Sequence, residues 1–320
     1  SLLEIKGLET EFQTEQGVVK ALRGINYTVD RGEVLGIVGE SGSGKSVGML
    51  SLMGLLAPNG TVTAGEMIFD GEDISPIKYK TKKEKKEYEK KMNQIRGNDI
   101  SMIFQDPMTS LNPTMTIGKQ IMESLIIHRD MNKAEARKEA IRMLEMVKIP
   151  SPESRIDNYP HELSGGMRQR VMIAIAMVNS PAILIADEPT TALDVTIQAQ
   201  ILDLMKSLKE NNGTSIIIIT HNIGIVAEMC DKIAVMYMGR IVETGTAEEI
   251  LTNPKHPYTK ALLKSVPVLG MNSNRELYTI KGRTPDGSTE FIGCPFADRC
   301  DECKEICTKQ MPSKVRFSDT

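Results

Sequence analysis

Three observations predict an α/β fold built on a parallel sheet. The apolar run VLGIVG leads straight into the glycine-rich GESGSGKS (residues 39–46) and then into SVGMLSLMGLL, which reads as a helix, so strand, glycine loop and helix follow one another. AILIAD and SIIIIT are continuous apolar runs bounded by polar residues, the pattern of strands covered on both faces. The chain has 320 residues, more than one ordinary core and enough for a large domain with an appendage.

Along the chain, residues 3–8, 24–29 and 33–38 alternate or run apolar and read as short strands between glycine-rich turns. Residues 78–97, KYKTKKEKKEYEKKMNQIRG, are strongly charged and read as a solvated helix or a mobile surface loop. Residues 115–148 carry apolar positions at helical spacing, with Asn132 placed to cap MNKAEARKEAIRMLEMVKI and Glu135 at its third position. KIAVMYMGRIVETG reads as a closing hairpin turning at Gly239. Beyond residues 247–254 prolines, glycines, polar residues and cysteines accumulate, which places a boundary there.

Composition narrows the class. Hydrophobic residues make up 40% and charged residues 25%, as in a soluble globular protein, and the net charge of −3 gives no argument for nucleic acid. The most apolar runs, 171–178 and 216–219, fall well short of the ~20 apolar residues of a membrane span. The N-terminal SLLEIKGLETEF has no basic start followed by an apolar stretch and is not expected to be a signal peptide; starting at Ser1, the chain is expected to be a trimmed form.

The chemistry begins at the glycine loop, which matches G-x-x-x-x-G-K-[ST] at every fixed position. Gly39, Gly42 and Gly44 let the backbone wrap a phosphate, and the loop N–H groups with the following helix N-terminus supply positive potential. Lys45 reaches the terminal phosphates and Ser46 offers a hydroxyl to Mg²⁺; Glu40, Ser41, Ser43 and Val47 complete the nucleotide-binding stretch. Asp187 ends an apolar strand, where its carboxylate emerges beside such a loop and holds Mg²⁺ through water. Glu188 follows and can polarise the attacking water.

At HELSGGMRQRVMIAIA the sequence resembles the ABC ATPases, whose signature LSGGMRQR (residues 163–170) matches. The resemblance implies an α/β fold with a RecA-like core, an N-terminal antiparallel β subdomain and a helical subdomain at about 106–180. It also implies a head-to-tail pair of ATPase domains in which Ser164, Gly165, Gly166, Gln169 and Asp194 of one chain cap ATP held by the other. Gln105 in IFQDP resembles the Q-loop glutamine that meets Mg²⁺ and faces the membrane subunits. TALD (191–194) resembles the D-loop, and His221 resembles the switch histidine. Phe12 is placed to stack on adenine. The pattern covers residues 1–250 and implies an active ATPase, with Glu188, His221, Gln105 and Lys45 as its catalytic set.

Residues 251–320 resemble the C-terminal extension of dipeptide, oligopeptide and nickel importer ATPases, through KHPYTKALLKSVP (255–267) and GCPFADRC (293–300); IFQDPMTSLNP (103–113) looks like the same subfamily. The resemblance implies a peripheral subunit on the cytoplasmic face of a bacterial or archaeal membrane. Its partners are two transmembrane permease subunits, a second ATPase subunit and an extracytoplasmic substrate-binding protein; nucleic acid is not among them. Peptide is the expected cargo, with nickel the alternative. A soluble non-transport ABC ATPase and a metal-cluster regulator with a vestigial ATPase are the other classes. The first lacks a second tandem domain or long coiled coil here, and the second conflicts with the intact catalytic set.

Of five cysteines, Cys230 stands alone and reads as a buried core residue. Cys294, Cys300, Cys303 and Cys307 fall within fourteen residues, and such a cluster in an intracellular chain points to metal. A [4Fe–4S] cluster and a zinc site both fit four thiolates, and free thiols are the third possibility. Relatives of the extension share Cys294, Cys300 and Cys307, some of them holding an iron–sulfur cluster, with Cys303 as the fourth ligand here.

Overall fold

A computed structural model describes residues 1–266 and 278–320, without the side chains of Pro107 and Met108. Pro267, which ends the KHPYTKALLKSVP stretch, lies outside the described residues. In chain order the elements are β1 (Leu3–Thr14), β2 (Gly17–Val29), β3 (Val34–Val38), α1 (Lys45–Met53), β4 (Gly60–Phe69), β5 (Glu72–Asp73), α2 (Lys82–Ile95), β6 (Ile100–Ile103), α3 (Pro107–Ser110), α4 (Ile117–Arg129), α5 (Lys133–Met146) and α6 (Pro152–Arg155). There follow α7 (Gly165–Met177), β7 (Ile183–Asp187), α8 (Val195–Asn212), β8 (Ser215–Thr220), α9 (Ile223–Met229), β9 (Lys232–Tyr237), β10 (Arg240–Thr246), α10 (Ala247–Thr252), α11 (Pro257–Lys264) and α12 (Glu305–Lys309). They fall into two compact units: residues 1–29, 34–81 and 219–320, and residues 30–33 with 82–218.

In the first unit an antiparallel sheet runs β2-β1-β4-β5. Leu3, Ile5 and Leu8 are buried, and a register shift between Ile5 and Leu8 turns the latter inward despite its odd spacing. The β1–β2 hairpin is longer than expected: it reaches Thr14 and restarts at Gly17, where the Thr14 hydroxyl donates to the Gly17 carbonyl at 2.7 Å. Ladder hydrogen bonds hold this polar ribbon, so it carries no apolar signal. The same unit pairs β3 in parallel with β9, and β9 antiparallel with β10. The expected hairpin turn is present, with Met238 sharing the left-handed conformation of Gly239, as a two-residue hairpin loop requires. Cys230 is buried as expected, and burial pushes its thiol up to about 12.

In the second unit β6 pairs β7 in parallel, and the sheet order continues to β8. The segments from AILIAD and SIIIIT are buried along their length. α7 packs against α4, α5 and α8 and buries Val171, Ile173, Ala174 and Met177. Asn132 caps α5 as expected, in a capping box with Glu135. The lysine-rich stretch is helix α2 rather than a loop. Tyr88, Met92 and Ile95 recur at helical spacing and are buried, while its lysines face out.

Candidate ATP site

The phosphate loop joins β3 to α1. Gly44 caps α1 with φ +95, and a Cβ there would lie 2.6 Å from the Ala21 carbonyl, so only glycine fits. A Cβ on Gly39 would strike the Met236 carbonyl, whereas Gly42, at φ +81, faces open space. Ser41 and Gly42 are exposed; Ser46 and Val47 are half-buried on the first turn of α1. Lys45 is buried, its Nζ donating to the carbonyls of Gly39 and Glu40 at 2.7 and 2.9 Å. Ser43 is buried too, and its Oγ has no hydrogen-bond partner among the described residues. A cationic Nζ, an unsatisfied buried hydroxyl and a glycine-lined backbone fit a polyphosphate.

Phe12 is half-buried on β1, its ring against Gly60 of β4, where a Cβ would come within 2.7 Å of it. His221 is exposed directly after β8. The next residue, Asn222, caps α9 by accepting from the Gly224 N–H at 2.9 Å.

The second unit carries the other half of the expected set. Asp187 ends β7 and is buried. Glu188 follows with φ +47, a left-handed conformation that a non-glycine residue holds only where its surroundings impose it. Thr191 N–H donates to the Glu188 carbonyl at 3.2 Å, and Ala192 also has positive φ, which shapes the TALD segment into a tight turn. Asp194 caps α8, accepting from the Ile197 N–H at 2.9 Å. Gln105 is exposed between β6 and α3.

Ser164 caps α7, its Oγ accepting from the Met167 N–H at 3.3 Å. A Cβ on Gly165 would meet nothing within 4 Å, while one on Gly166 would meet Ile197 at 3.0 Å. Gln169 differs from its neighbours: it is 2% exposed, and its Nε2 donates to the Pro189 carbonyl at 2.6 Å. Its side chain is committed inside its own chain, tying α7 to the loop after Glu188.

The C-terminal tail is part of the first unit. HPYT is a helix start: His256 caps α11 through Nδ1, which accepts from the Tyr258 N–H at 3.0 Å, and Pro257 takes the first helical position. Tyr258 is fully buried, and its hydroxyl accepts the N–H of Glu40 at 2.9 Å. Arg299, beside Cys300, forms a two-pronged ion pair with the Glu40 carboxylate at 2.8 and 3.0 Å. Sequence reasoning missed both residues. The available signal was Glu40 itself, a carboxylate inside an anion-binding loop.

The expected metal ligands are not assembled. Cys294, Cys300, Cys303 and Cys307 are free, and among the described residues no group of three or more His, Cys, Asp or Glu side chains could hold a metal ion. Burial raises the thiols of Cys294 and Cys300 in the absence of a metal. The loop is closed by its backbone, with the Cys294 N–H donating to the Cys307 carbonyl at 2.7 Å.

A phosphate loop on strand and helix, an acidic pair ending an apolar strand and a serine–glycine helix start before it define an ATP-binding cassette. The comparisons agree. A family profile described as "ABC transporter" matches residues 22–191, and one described as "Oligopeptide/dipeptide transporter, C-terminal region" matches residues 242–307. The oligopeptide transport ATP-binding protein OppD of Bacillus subtilis is 52% identical over 320 residues, covering 100% of this chain and 87% of that protein. The dipeptide transport ATP-binding protein DppD of the same organism is 48% identical, covering 100% and 92%. Among solved structures, the dimeric post-hydrolysis ATP-binding cassette MJ0796, bound to ADP and Pi, is similar at TM-score 0.65 and 28% identity, covering 77% of this chain and 98% of that one. The chain belongs to the ABC transporter ATP-binding proteins, in the branch that carries the oligopeptide/dipeptide C-terminal region.

Proposed function

We propose that this chain hydrolyses ATP to power peptide import through two partner permease subunits at the cytoplasmic face of a bacterial or archaeal membrane. Peptide is delivered by an extracytoplasmic binding protein, and a second ATPase chain completes each site. The observation that carries this reading is an intact catalytic set and the peptide-transporter tail in one chain that aligns along its whole length with oligopeptide and dipeptide transport ATP-binding proteins. No helix among the described residues is long and apolar enough to cross a membrane.

In this reading the loop N–H groups and Lys45 hold the phosphates, and Phe12 takes the adenine. Ser46, Gln105 and, through water, Asp187 hold Mg²⁺, which when bound neutralises phosphate charge. Glu188 orients and polarises a water that attacks the γ-phosphorus as the bond to the β–γ bridging oxygen breaks, and His221 holds the γ-phosphate and that water. Ser164, Gly165, Gly166 and Asp194 face the ATP of the partner chain, and Gln169 positions that surface from within.

The test is ATP hydrolysis by the complex reconstituted with its permeases and binding protein in vesicles. Peptide is expected to stimulate it several-fold and nickel to leave it unchanged; stimulation by nickel alone overturns the peptide assignment. For the tail we hold to the [4Fe–4S] reading, supported by four cysteines within fourteen residues. Absorbance near ~400 nm with iron in the anaerobically purified protein is the expected result; stoichiometric zinc or metal-free thiols reject it.

A further inference from the structure

A carboxylate is an odd occupant of a phosphate-binding loop. Glu40 follows Gly39, and its charge opposes the triphosphate that the loop is shaped to hold. The structure meets this with a residue 259 positions away. Both prongs of the Arg299 guanidinium reach Glu40, Nη1 to Oε2 at 2.8 Å and Nη2 to Oε1 at 3.0 Å. Arg299 is itself only 8% exposed. Its Nε donates to the Lys281 carbonyl at 2.8 Å, and its Cζ lies 5.9 Å from the Tyr237 ring centroid and 6.0 Å from that of Phe296. The guanidinium is therefore fixed before it meets the carboxylate.

Tyr258 fixes the same residue from its other side by accepting the Glu40 N–H, and the Glu40 carbonyl accepts from Lys45. The rings of Tyr237, Tyr258 and Phe296 pack edge-on or tilted with centroids 4.7 to 5.3 Å apart, which makes one rigid base of β9, α11 and the cysteine loop. The tail is also pinned to β2, where Arg23 donates to the carbonyls of Gly287 and Thr289 at 3.1 and 2.8 Å.

We propose that Arg299 is a positioning residue of the ATP site: carried by the C-terminal tail, it neutralises Glu40 and holds that carboxylate back from the phosphates. The tail thereby sets the nucleotide affinity of the loop. This rests on the ATPase reading above and adds a residue to it. Without Arg299, Glu40 keeps an uncompensated charge at the loop, and binding weakens through charge rather than through shape.

The experiment measures MgATP affinity and turnover of the full chain in the wild type, Arg299→Met, Arg299→Lys and the double variant Glu40→Gln/Arg299→Met, with thermal unfolding followed in parallel. Methionine keeps a stem against Tyr237 and Phe296 and removes the charge. Arg299→Met is expected to bind MgATP about tenfold more weakly, with the loss in Kd and KM rather than kcat, and with a deficit that shrinks as salt rises. Arg299→Lys falls between it and the wild type, because the charge remains and the fork is lost. The double variant recovers most of the affinity. It leaves neither charge unpaired, and if Arg299→Met fails to fold it is read against Arg299→Lys: weaker binding in Arg299→Lys with the double variant within about threefold of wild type supports the inference, and wild-type affinity in both overturns it. Unchanged affinity in Arg299→Met, or a double variant as weak as Arg299→Met, overturns it. A wild-type chain that binds no MgATP instead overturns the ATPase reading.

Discussion

Glu188 sits where β7 ends, and its left-handed backbone aims its side chain differently from that of any residue continuing the strand. The tight turn through Thr191 and Ala192 imposes that conformation, at a cost of about 1–3 kcal/mol that the surrounding fold must offset. Glu188→Gln keeps shape and backbone while removing the charge proposed to polarise water. We expect it to bind MgATP as the wild type does and to release phosphate at least ~10²-fold more slowly. Phosphate release followed with nucleotide binding checks this, and undiminished turnover removes Glu188 from the mechanism. The placement of Lys45 and Ser46 at the start of α1 and of Glu188 just after β7 was legible because they sit in contiguous motifs whose spacing the loop geometry dictates. The Glu40–Arg299 pair was not, because nothing local links two residues 259 apart; only the mismatch of a carboxylate with an anion site hinted at a missing cation.

At the scale of elements, α11 shows what the HPYT sequence does. His256 caps the helix only as an acceptor, and therefore only in its neutral form. Burial holds its pKa below the ordinary histidine value of 6.5, against the opposing influence of Glu243 and Glu302, with Lys260 acting in the same sense as burial. A folded pKa below the unfolded one means that the unfolded chain takes up protons first. The cap's contribution is thus complete above about pH 6.5 and is lost as pH falls through the lower folded value. Asparagine caps equally well and does not titrate in this range. We expect the unfolding temperature of the wild type to drop more between about pH 7.5 and pH 5 than that of His256→Asn, by a few degrees. Parallel curves would assign the acid sensitivity to other groups.

Elements differed in legibility for physical reasons. β3, β7 and β8 were readable because strands buried on both faces must be apolar throughout. The polar ends of β1 and β2 were not, since cross-strand hydrogen bonds hold them without apolar partners. β4 follows the same antiparallel logic on a register set by β1, with shifts after Lys6 and Glu9 that no alternation pattern encodes. α2 hid its one buried stripe of Tyr88, Met92 and Ile95 among lysines, which dominate a count of charges but not the packing. The cysteine spacing was visible, yet spacing alone does not choose between an iron–sulfur cluster, zinc and free thiols, and the four cysteines form no disulfide.

For the whole molecule, the claim that distinguishes this ATPase from a self-contained one is that the helix start at Ser164 serves another chain's nucleotide. Gly165 provides a test that the chain's own fold barely registers. A Cβ there meets nothing within 4 Å, and the residue occupies the first turn of α7, where a carboxylate interacts favourably with the helix dipole. Gly165→Glu is therefore expected to leave thermal stability within about 0.5 kcal/mol of the wild type. It should also leave MgATP affinity of the isolated chain intact, because the chain's own phosphate loop is untouched. In the assembled pair it sets a negative charge where the partner's phosphates must approach, and removes the close contact that glycine permits. Cooperative turnover should fall by about 10²-fold or more, roughly the effect of losing a positioned electrostatic contact at the reacting phosphate. ATP-dependent dimerisation, followed by size-exclusion chromatography with light scattering, should fail with it. A variant that binds ATP, pairs and turns over like the wild type would show that α7 does not complete a neighbour's site, and each chain would then have to hydrolyse ATP with the residues it carries itself.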